Sequence, residues 1–139
     1  MASFSKFQPF VEALCEGKHD FSADTLKVML TNTAPSSSDA TKGDITEISS
    51  GNGYSAGGTV ASTTSSSQTA GVYKLILGDV TFTASGGAVG PFRYAVLYND
   101  SEASDGLVGF YDYGASVTLA DGESFTVDFD PTDGVLTLT

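Results

Sequence analysis

Three or four short runs over 92–129 with a period of two, each ended by turn residues, are the feature that most constrains the fold of this chain. In PFRYAVLYND every second residue from Phe92 to Tyr98 is aromatic or valine, and SFTVDF later repeats the pattern. A period of two places each apolar set on one face of a β-strand. Asn-Asp and Asp-Gly pairs between the runs favour tight turns. The C-terminal half is therefore predicted to form a half-buried antiparallel sheet.

Segments upstream of this block supply strands for a facing sheet. Residues 24–31 and 72–84 alternate in the same way, and the Thr- and Ser-rich residues 59–71 have the composition of an edge strand. No segment favours a helix long enough for a βαβ crossover, which argues against a parallel sheet. The predicted fold is all-β, a jelly-roll or Greek-key β-sandwich over residues 25–139. Residues 1–24 are predicted to form an N-terminal arm or short helix.

The alternation also identifies the expected core. Eight apolar residues are predicted to be buried between the two sheets: Leu26, Val28, Leu75, Val96, Phe125, Val127, Phe129 and Leu136. Three local predictions accompany them. Asp44 is expected to cap a helical turn over 44–48, the pair Tyr113-Gly114 to form a turn, and the Gly-rich residues 49–58 to form a mobile surface loop.

The charge of the chain limits its partners. Seventeen acidic residues against six basic ones give a net charge of −11 at pH 7. Such a surface repels phosphate, which argues against general nucleic-acid binding and against anionic membrane surfaces. No run of 18 apolar residues is present, so no membrane-spanning helix is predicted. The single cysteine, Cys15, excludes an internal disulfide and fits a reducing cytoplasm.

Residues that could carry nucleophilic catalysis are sparse. His19 is the only histidine, and between Lys18 and Asp20 it is predicted to be a loop residue. Cys15 stands near Glu12 rather than in an electropositive setting, so it is predicted to be a small buried hydrophobe. A histidine-based triad or a multi-histidine metal site has too few members here. We predict no enzymatic activity and no cofactor.

Acidic residues offer two weaker alternatives. Four that could pair for glycoside hydrolysis lie in or near predicted turns, where acids are common for conformational reasons: Glu102, Asp105, Asp112 and Glu123. Three more cluster in DFDPTDG: Asp128, Asp130 and Asp133. Their spacing lacks the Gly and the Glu of a calcium loop, although clustered oxygen ligands leave cation binding open.

Aromatic residues are the more informative candidates for partner binding. Two tyrosine pairs stand at even spacing, so that each pair shares a strand face: Tyr94 with Tyr98, and Tyr111 with Tyr113. Three phenylalanines near the N-terminus follow at a spacing of three: Phe4, Phe7 and Phe10. All seven are candidate partner-binding residues. The alternative is that the tyrosines line the sandwich core and that the phenylalanines cap the chain's own sandwich.

The chain resembles a known group of viral proteins. FRYAVLYNDSEASDGLVGFYDYGASVTLADGESFTVDFDPTDGVLTLT is similar to the C-terminal half of small proteins encoded among the head genes of tailed phages. FVEALCEGKHDFSADTLKVMLTNTAPSSSDATKGDITEI resembles their first half. The resemblance implies a capsid decoration, or cement, protein with a jelly-roll sandwich. Such proteins assemble in the host cytoplasm and bind the outer surface of the virion across joints between major capsid subunits, often as homodimers.

Two other functional classes stay open. A receptor- or glycan-binding module of a phage tail would suit the tyrosine pairs. A hydrolase would use the carboxylates. The expected function is that of a structural virion protein without enzymatic activity or cofactor, whose partner is the major capsid protein.

Overall fold

A computed structural model describes residues 2–139 of the chain. One α-helix, α1 (Gln8–Cys15), and one 3-10 helix (Lys42–Asp44) accompany ten strands. The strands are β1 (Phe4–Lys6), β2 (Leu26–Thr31), β3 (Thr59–Ala61), β4 (Thr63–Thr69), β5 (Val72–Leu77), β6 (Val80–Thr83), β7 (Val89–Asn99), β8 (Leu107–Leu119), β9 (Ser124–Val127) and β10 (Leu136–Leu138). Neither helix is both long and apolar enough to cross a membrane.

Two layers of antiparallel strands make up the sandwich. The first sheet has five strands in the order β1-β8-β7-β2-β3. The second layer contains the three-stranded sheet β10-β5-β4 and the pair β6-β9. Gly78 and Asp79 alone separate β5 from β6, so these two strands continue one another along the second layer. The all-β sandwich with a short N-terminal helix is therefore confirmed.

The C-terminal half pairs as one long hairpin that rolls across both layers. β7 pairs with β8, β6 pairs with β9, and β5 pairs with β10, each in antiparallel register. The innermost pair lies in the first sheet and the two outer pairs lie in the second layer. Each arm of the long hairpin therefore passes once from the first sheet to the second layer.

Burial agrees with most of the predicted core positions, although Val96 lies on the same face of β7 as Tyr98, which points away from the second layer. Six of the eight residues are buried: Leu26, Val28, Leu75, Val96, Val127 and Phe129. Phe125 and Leu136 are partly buried and pack against the same core. Phe125 contacts the rings of Phe92 and Tyr113 at centroid distances of 4.9 and 4.8 Å. Leu136 stands on β10, at the edge of the second layer, where one side of the strand is open.

A covering segment shields the first sheet on the face that points away from the second layer. The chain from 32 to 58 crosses this face, and the Tyr98 hydroxyl donates a hydrogen bond to the Gly57 carbonyl at 2.6 Å. The Ile48 N–H donates to the Leu30 carbonyl at 3.1 Å, which ties the same segment to β2. Phe7 packs on Phe110 at 5.2 Å beside it. The first sheet is thus covered on both faces.

The helical turn near Asp44 lies earlier than predicted. It spans Lys42–Asp44, with Thr41 as its N-cap, so Asp44 is its last residue rather than its cap. The Asp44 carboxylate reaches back and accepts hydrogen bonds from the N–H groups of Ala40 and Thr41 at 2.9 and 3.0 Å. These bonds lower the pKa of Asp44. The same acidic side chain therefore stabilises the turn from its opposite end.

Strand β8 continues through the turn predicted at Tyr113-Gly114. Between two paired positions the register advances five residues along β8, from Asp112 to Val117, but only two along β7, from Tyr94 to Phe92. The extra residues bulge outward, and Gly114 adopts φ +83° there. The Asp112 carboxylate accepts the Gly114 N–H at 2.8 Å, which closes the bulge locally.

The Gly-rich segment 49–58 is anchored, which contradicts the predicted mobile loop. Tyr54 within it is buried, and its ring lies 5.7 Å from the ring of Phe82. The Tyr54 hydroxyl donates to the Glu47 carboxylate at 2.6 Å and accepts the Leu30 N–H at 3.0 Å. Burial and the hydrogen bond to the carboxylate raise the pKa of Tyr54. One tyrosine thus holds a segment whose glycines alone favour flexibility.

His19 lies in the loop that follows α1, as predicted, but its side chain is buried, with 7% of its surface exposed. Its ring stacks on Phe21 at 5.7 Å, and its Nδ1 lies 3.0 Å from the amide nitrogen of Asn99. The Asn99 amide oxygen accepts the N–H groups of Ser101 and Glu102, which orients the amide nitrogen toward His19. Nδ1 is therefore the acceptor and Nε2 carries the proton in the neutral ring.

We expect Phe129→Ala to lower the free energy of unfolding by about 3–5 kcal/mol, because it removes a buried ring and leaves a cavity. Phe129 is 1% exposed and packs 5.9 Å from the ring of Tyr111. Urea denaturation measures the change. Val60→Ala is the control, since Val60 is 47% exposed and should shift stability by no more than about 0.5 kcal/mol. Equal stability of the two variants would contradict the assigned core.

We expect acid to destabilise the fold through His19. Burial lowers the pKa of His19, although the carboxylates of Glu102 and Asp24 partly oppose this. As the pH falls, His19 therefore binds its proton in the unfolded chain before it does so in the folded chain. The contribution of neutral, buried His19 to the free energy of unfolding is complete above pH ~6.5 and falls as the pH drops below it. The melting temperature of the wild type should fall more between pH 7.5 and 5.5 than that of His19→Gln. Parallel curves would refute this role.

Candidate partner-binding groove

Four of the seven predicted partner-binding residues are buried inside the chain. They are Phe7, Phe10, Tyr94 and Tyr98, each no more than 8% exposed. Little of these four side chains is left for a partner to contact, although Phe10 borders the groove described below. The other three, Phe4, Tyr111 and Tyr113, are partly buried against the core.

The N-terminal phenylalanines cap the chain's own sandwich, as the alternative interpretation predicted. Phe7 packs on Phe110 of β8, and the Phe7 N–H donates to the Val108 carbonyl at 3.1 Å. Phe10, on α1, lies 5.1 Å from the ring of His19 and 6.1 Å from that of Phe21. Helical spacing indicated an apolar face correctly, but it could not show that this face meets residues 19–21.

The predicted tyrosine surface does not form either. Tyr98 lies under the covering segment, with the Lys42 ammonium 5.4 Å above its ring. Burial raises the pKa of Tyr98. Tyr111 and Tyr113 lie 6.3 Å apart, and Tyr111 packs on Phe4 at 5.2 Å. Burial also raises the pKa of Tyr111 to about 12, so this hydroxyl remains protonated at neutral pH.

A groove of about 1360 Å³ opens at one side of the sandwich. One wall is formed by β1 and α1, including Phe4, Val11 and Leu14. The other wall is formed by β4, β5 and β10, including Tyr73 and Leu138. Of the seven predicted partner-binding residues, only Phe4 and the buried Phe10 border this groove.

Strand register explains why the second wall is apolar. Leu136 pairs with Leu75, and Leu138 pairs with Tyr73, across β10 and β5. Alternate residues share a face, so all four side chains point to the face that carries the buried Leu75. The first sheet does not extend far enough to cover the end of this face. Leu138 is consequently 63% exposed.

Both walls of the groove carry exposed apolar side chains. Val11 on α1 is 46% exposed, facing the groove across from Leu138. Cys15 lies on the same wall and is exposed, so the prediction that it is a buried hydrophobe is wrong. Sequence reasoning missed Val11 and Leu138 as site residues. The available signal was the terminal pair of leucines on one strand face, which had no obvious strand to pack against.

Two free strand edges border the same groove. β1 pairs only with β8, and β10 pairs only with β5, among the described residues 2–139. All three residues of each strand line the groove, which places it along their edges rather than on one face. An unpaired edge offers backbone N–H and C=O groups to another strand. The groove therefore combines apolar side chains with backbone hydrogen-bonding capacity.

The groove is nearly neutral on a strongly acidic chain. Of the described residues that line it, only Lys6 and Asp20 are ionised at pH 7, and their charges cancel. The chain as a whole carries a net charge of −11. All acidic residues other than Asp20 thus lie outside the groove, and an uncharged segment bound there meets only one acidic and one basic side chain of this chain.

Three of the four acidic residues considered for catalysis are engaged in hydrogen bonds or ion pairs: Glu102, Asp112 and Glu123. Asp112 forms an ion pair with Arg93 at 2.8 Å, and this hydrogen bond lowers the pKa of Asp112. The Glu102 carboxylate accepts the N–H groups of Ser104 and Gly106 at 3.0 and 3.1 Å. Glu123 accepts the N–H of Ala120 at 2.7 Å. Glu102 and Glu123 thus each close a turn, as acids in such positions often do, whereas Asp112 pairs with Arg93 across β7 and β8.

The cluster at 128–133 is organised as a turn. Asp130 accepts the N–H groups of Thr132 and Asp133 at 2.7 and 2.9 Å, which lowers its pKa. Asp133 lies 3.8 Å from the Lys74 ammonium. Across residues 2–139, no three His, Cys, Asp or Glu side chains are grouped so that they could hold a metal ion.

Comparison with known proteins leaves the groove as the main guide to function. No protein-family model matches the chain, and no curated protein or solved structure gives a significant match.

Proposed function

We propose that this protein is a structural virion protein, a decoration protein that binds the outside of an icosahedral phage head. Its partner is the major capsid protein, and it strengthens the head across the joints between subunits. The observation that carries the proposal is the apolar groove between α1, β1 and β10, together with the resemblance of both halves of the chain to phage head proteins. The alternative of a glycan-binding tail module is weaker, because the tyrosines that suggested it are buried or half-buried.

The apolar surface of the groove supports protein binding. Val11 and Leu138 are large apolar residues that remain exposed, and both line the same depression. Burying apolar surface releases about 25 cal/mol per Å², so covering such side chains favours association. Contiguous exposed apolar surface of this kind often marks an interaction site.

The distribution of charge supports a role on a crowded surface. A net charge of −11 keeps free copies apart and soluble, while the neutral groove leaves one place where contact carries no charge penalty. We propose that the protein docks as a homodimer. A symmetric pair that has bound one capsid site holds its second copy at high effective concentration near the next site.

We expect the double variant Val11→Ser, Leu138→Ser to bind undecorated heads about 10–30-fold more weakly. Each substitution removes roughly 1 kcal/mol of apolar burial from the complex, because both side chains are already partly buried in the free protein. Stability should change by no more than about 0.5 kcal/mol per site, since both residues are exposed. Co-sedimentation with heads at increasing protein concentration measures the affinity, and thermal melting measures the stability.

Val60→Ser is the matched control, because Val60 is exposed to the same degree as Val11, 47% against 46%, but does not line the groove. It should bind heads as tightly as the wild type. Unchanged binding of the double variant would show that the groove is not the docking surface. A wild-type protein that ignores heads but binds sugars on a glycan array would instead support the tail module.

A further inference from the structure

We propose that the groove binds an extended, apolar segment of the partner as an added β-strand along β1, with Lys or Arg residues flanking that segment. This inference rests on the proposed function for the identity of the partner, but it assigns the chemistry of the occupant from the groove itself. Three observations carry it: the backbone register of β1, the facing edge of β10 and the distribution of charge.

The register of β1 leaves backbone groups free at its outer edge. The Phe7 N–H donates to the Val108 carbonyl at 3.1 Å, in line with the pairs Lys6–Gly109 and Ser5–Phe110. Antiparallel partners alternate between hydrogen-bonded and non-hydrogen-bonded pairs. Lys6 therefore belongs to a non-hydrogen-bonded pair, and its N–H and C=O point away from β8.

The opposite side of the groove offers a second edge. β10 belongs to the second layer, while β1 belongs to the first sheet, and all residues of both strands line the groove. A strand that enters between them adds to the edge of the first sheet and places alternate side chains against Leu136 and Leu138. Binding by strand addition takes its affinity from main-chain hydrogen bonds and its specificity from alternate side chains. The occupant would close the open side of the sandwich.

The charges in and around the groove indicate which kind of partner segment fits it. The lining is neutral because Lys6 and Asp20 cancel, so the segment inside the groove should be uncharged and apolar. The surrounding chain carries −11, which attracts Lys or Arg residues at the ends of that segment. A second copy of this chain carries the same net charge, which disfavours its docking in this groove, so the contact of the proposed homodimer lies elsewhere on the surface. A partner segment with basic flanks therefore fits this groove better than self-association does.

A proline at position 6 tests the role of the backbone. Lys6→Pro removes the outward N–H, whereas the β1–β8 ladder uses the N–H groups of the neighbouring residues, and proline is tolerated on such an edge. Lys6→Ala is the matched control, because it removes the same charge and keeps the N–H. We expect Lys6→Pro to bind heads at least about tenfold more weakly and Lys6→Ala to bind within about twofold of the wild type. Both should melt like the wild type, because Lys6 is exposed.

Model peptides test the occupant without the head. The probes are acetyl-Lys-Val-Thr-Val-Thr-Val-Lys-amide and the same peptide with Glu at both ends. Cys15 is the only cysteine, is exposed and lines the groove, so the rate at which a thiol reagent modifies it reports occupancy. The basic peptide should slow modification of the wild type and of Lys6→Ala, but not of Lys6→Pro. The acidic peptide should protect at least tenfold less well at equal concentration.

The two assays separate the inference from the proposed function. A protein that decorates heads but whose Cys15 is not protected by the basic peptide would overturn strand addition and leave the decoration role intact. A protein that fails to bind heads but is protected in the predicted pattern would overturn the decoration role alone. Equal loss of affinity in Lys6→Pro and Lys6→Ala would overturn the backbone argument. A dimer in sedimentation that Lys6→Pro converts to a monomer would assign the groove to a second copy and overturn the proposal.

Discussion

The structure depends on the burial of β7 from every direction. β2 and β8 pair with its two edges, so its backbone groups are satisfied within the sheet. One face packs into the core between the layers, and the other lies under the covering segment 32–58, so that every residue from Tyr94 to Asn99 is buried. The nested pairs of the long hairpin are then arranged around this strand, with their outer parts in the second layer.

The two layers differ in extent, and this difference creates the groove. The first sheet is covered on both faces, while the inner face of β5 and β10 continues past the last strand of the first sheet. Helix α1 covers part of this side by placing Phe10 over His19 and Phe21, and it leaves the remainder open. An apolar face without a cover in the free protein is what a binding partner can complete.

The acidic residues serve two purposes in this arrangement. Many of them close turns: Asp44, Glu102 and Asp130 each accept two backbone N–H groups. Together they also surround the neutral groove with a negatively charged surface. Charge therefore opposes contact with other acidic surfaces around the groove but not within it.

The sequence by itself determined the all-β sandwich, the short N-terminal helix and most of the core, because alternation and turn residues are local signals. It did not determine which strands would be covered on both of their faces. The period-two pattern of β7 indicated one buried face, that of Tyr94 and Tyr98, which a segment distant in sequence covers, yet Ala95 and Leu97 on the opposite face are buried too. Burial of His19 and Tyr54, and the exposure of Val11 and Leu138, likewise depend on contacts between segments far apart in the chain. Only the tertiary structure decided where the apolar surface was left open, because the extent of each sheet depends on long-range pairing.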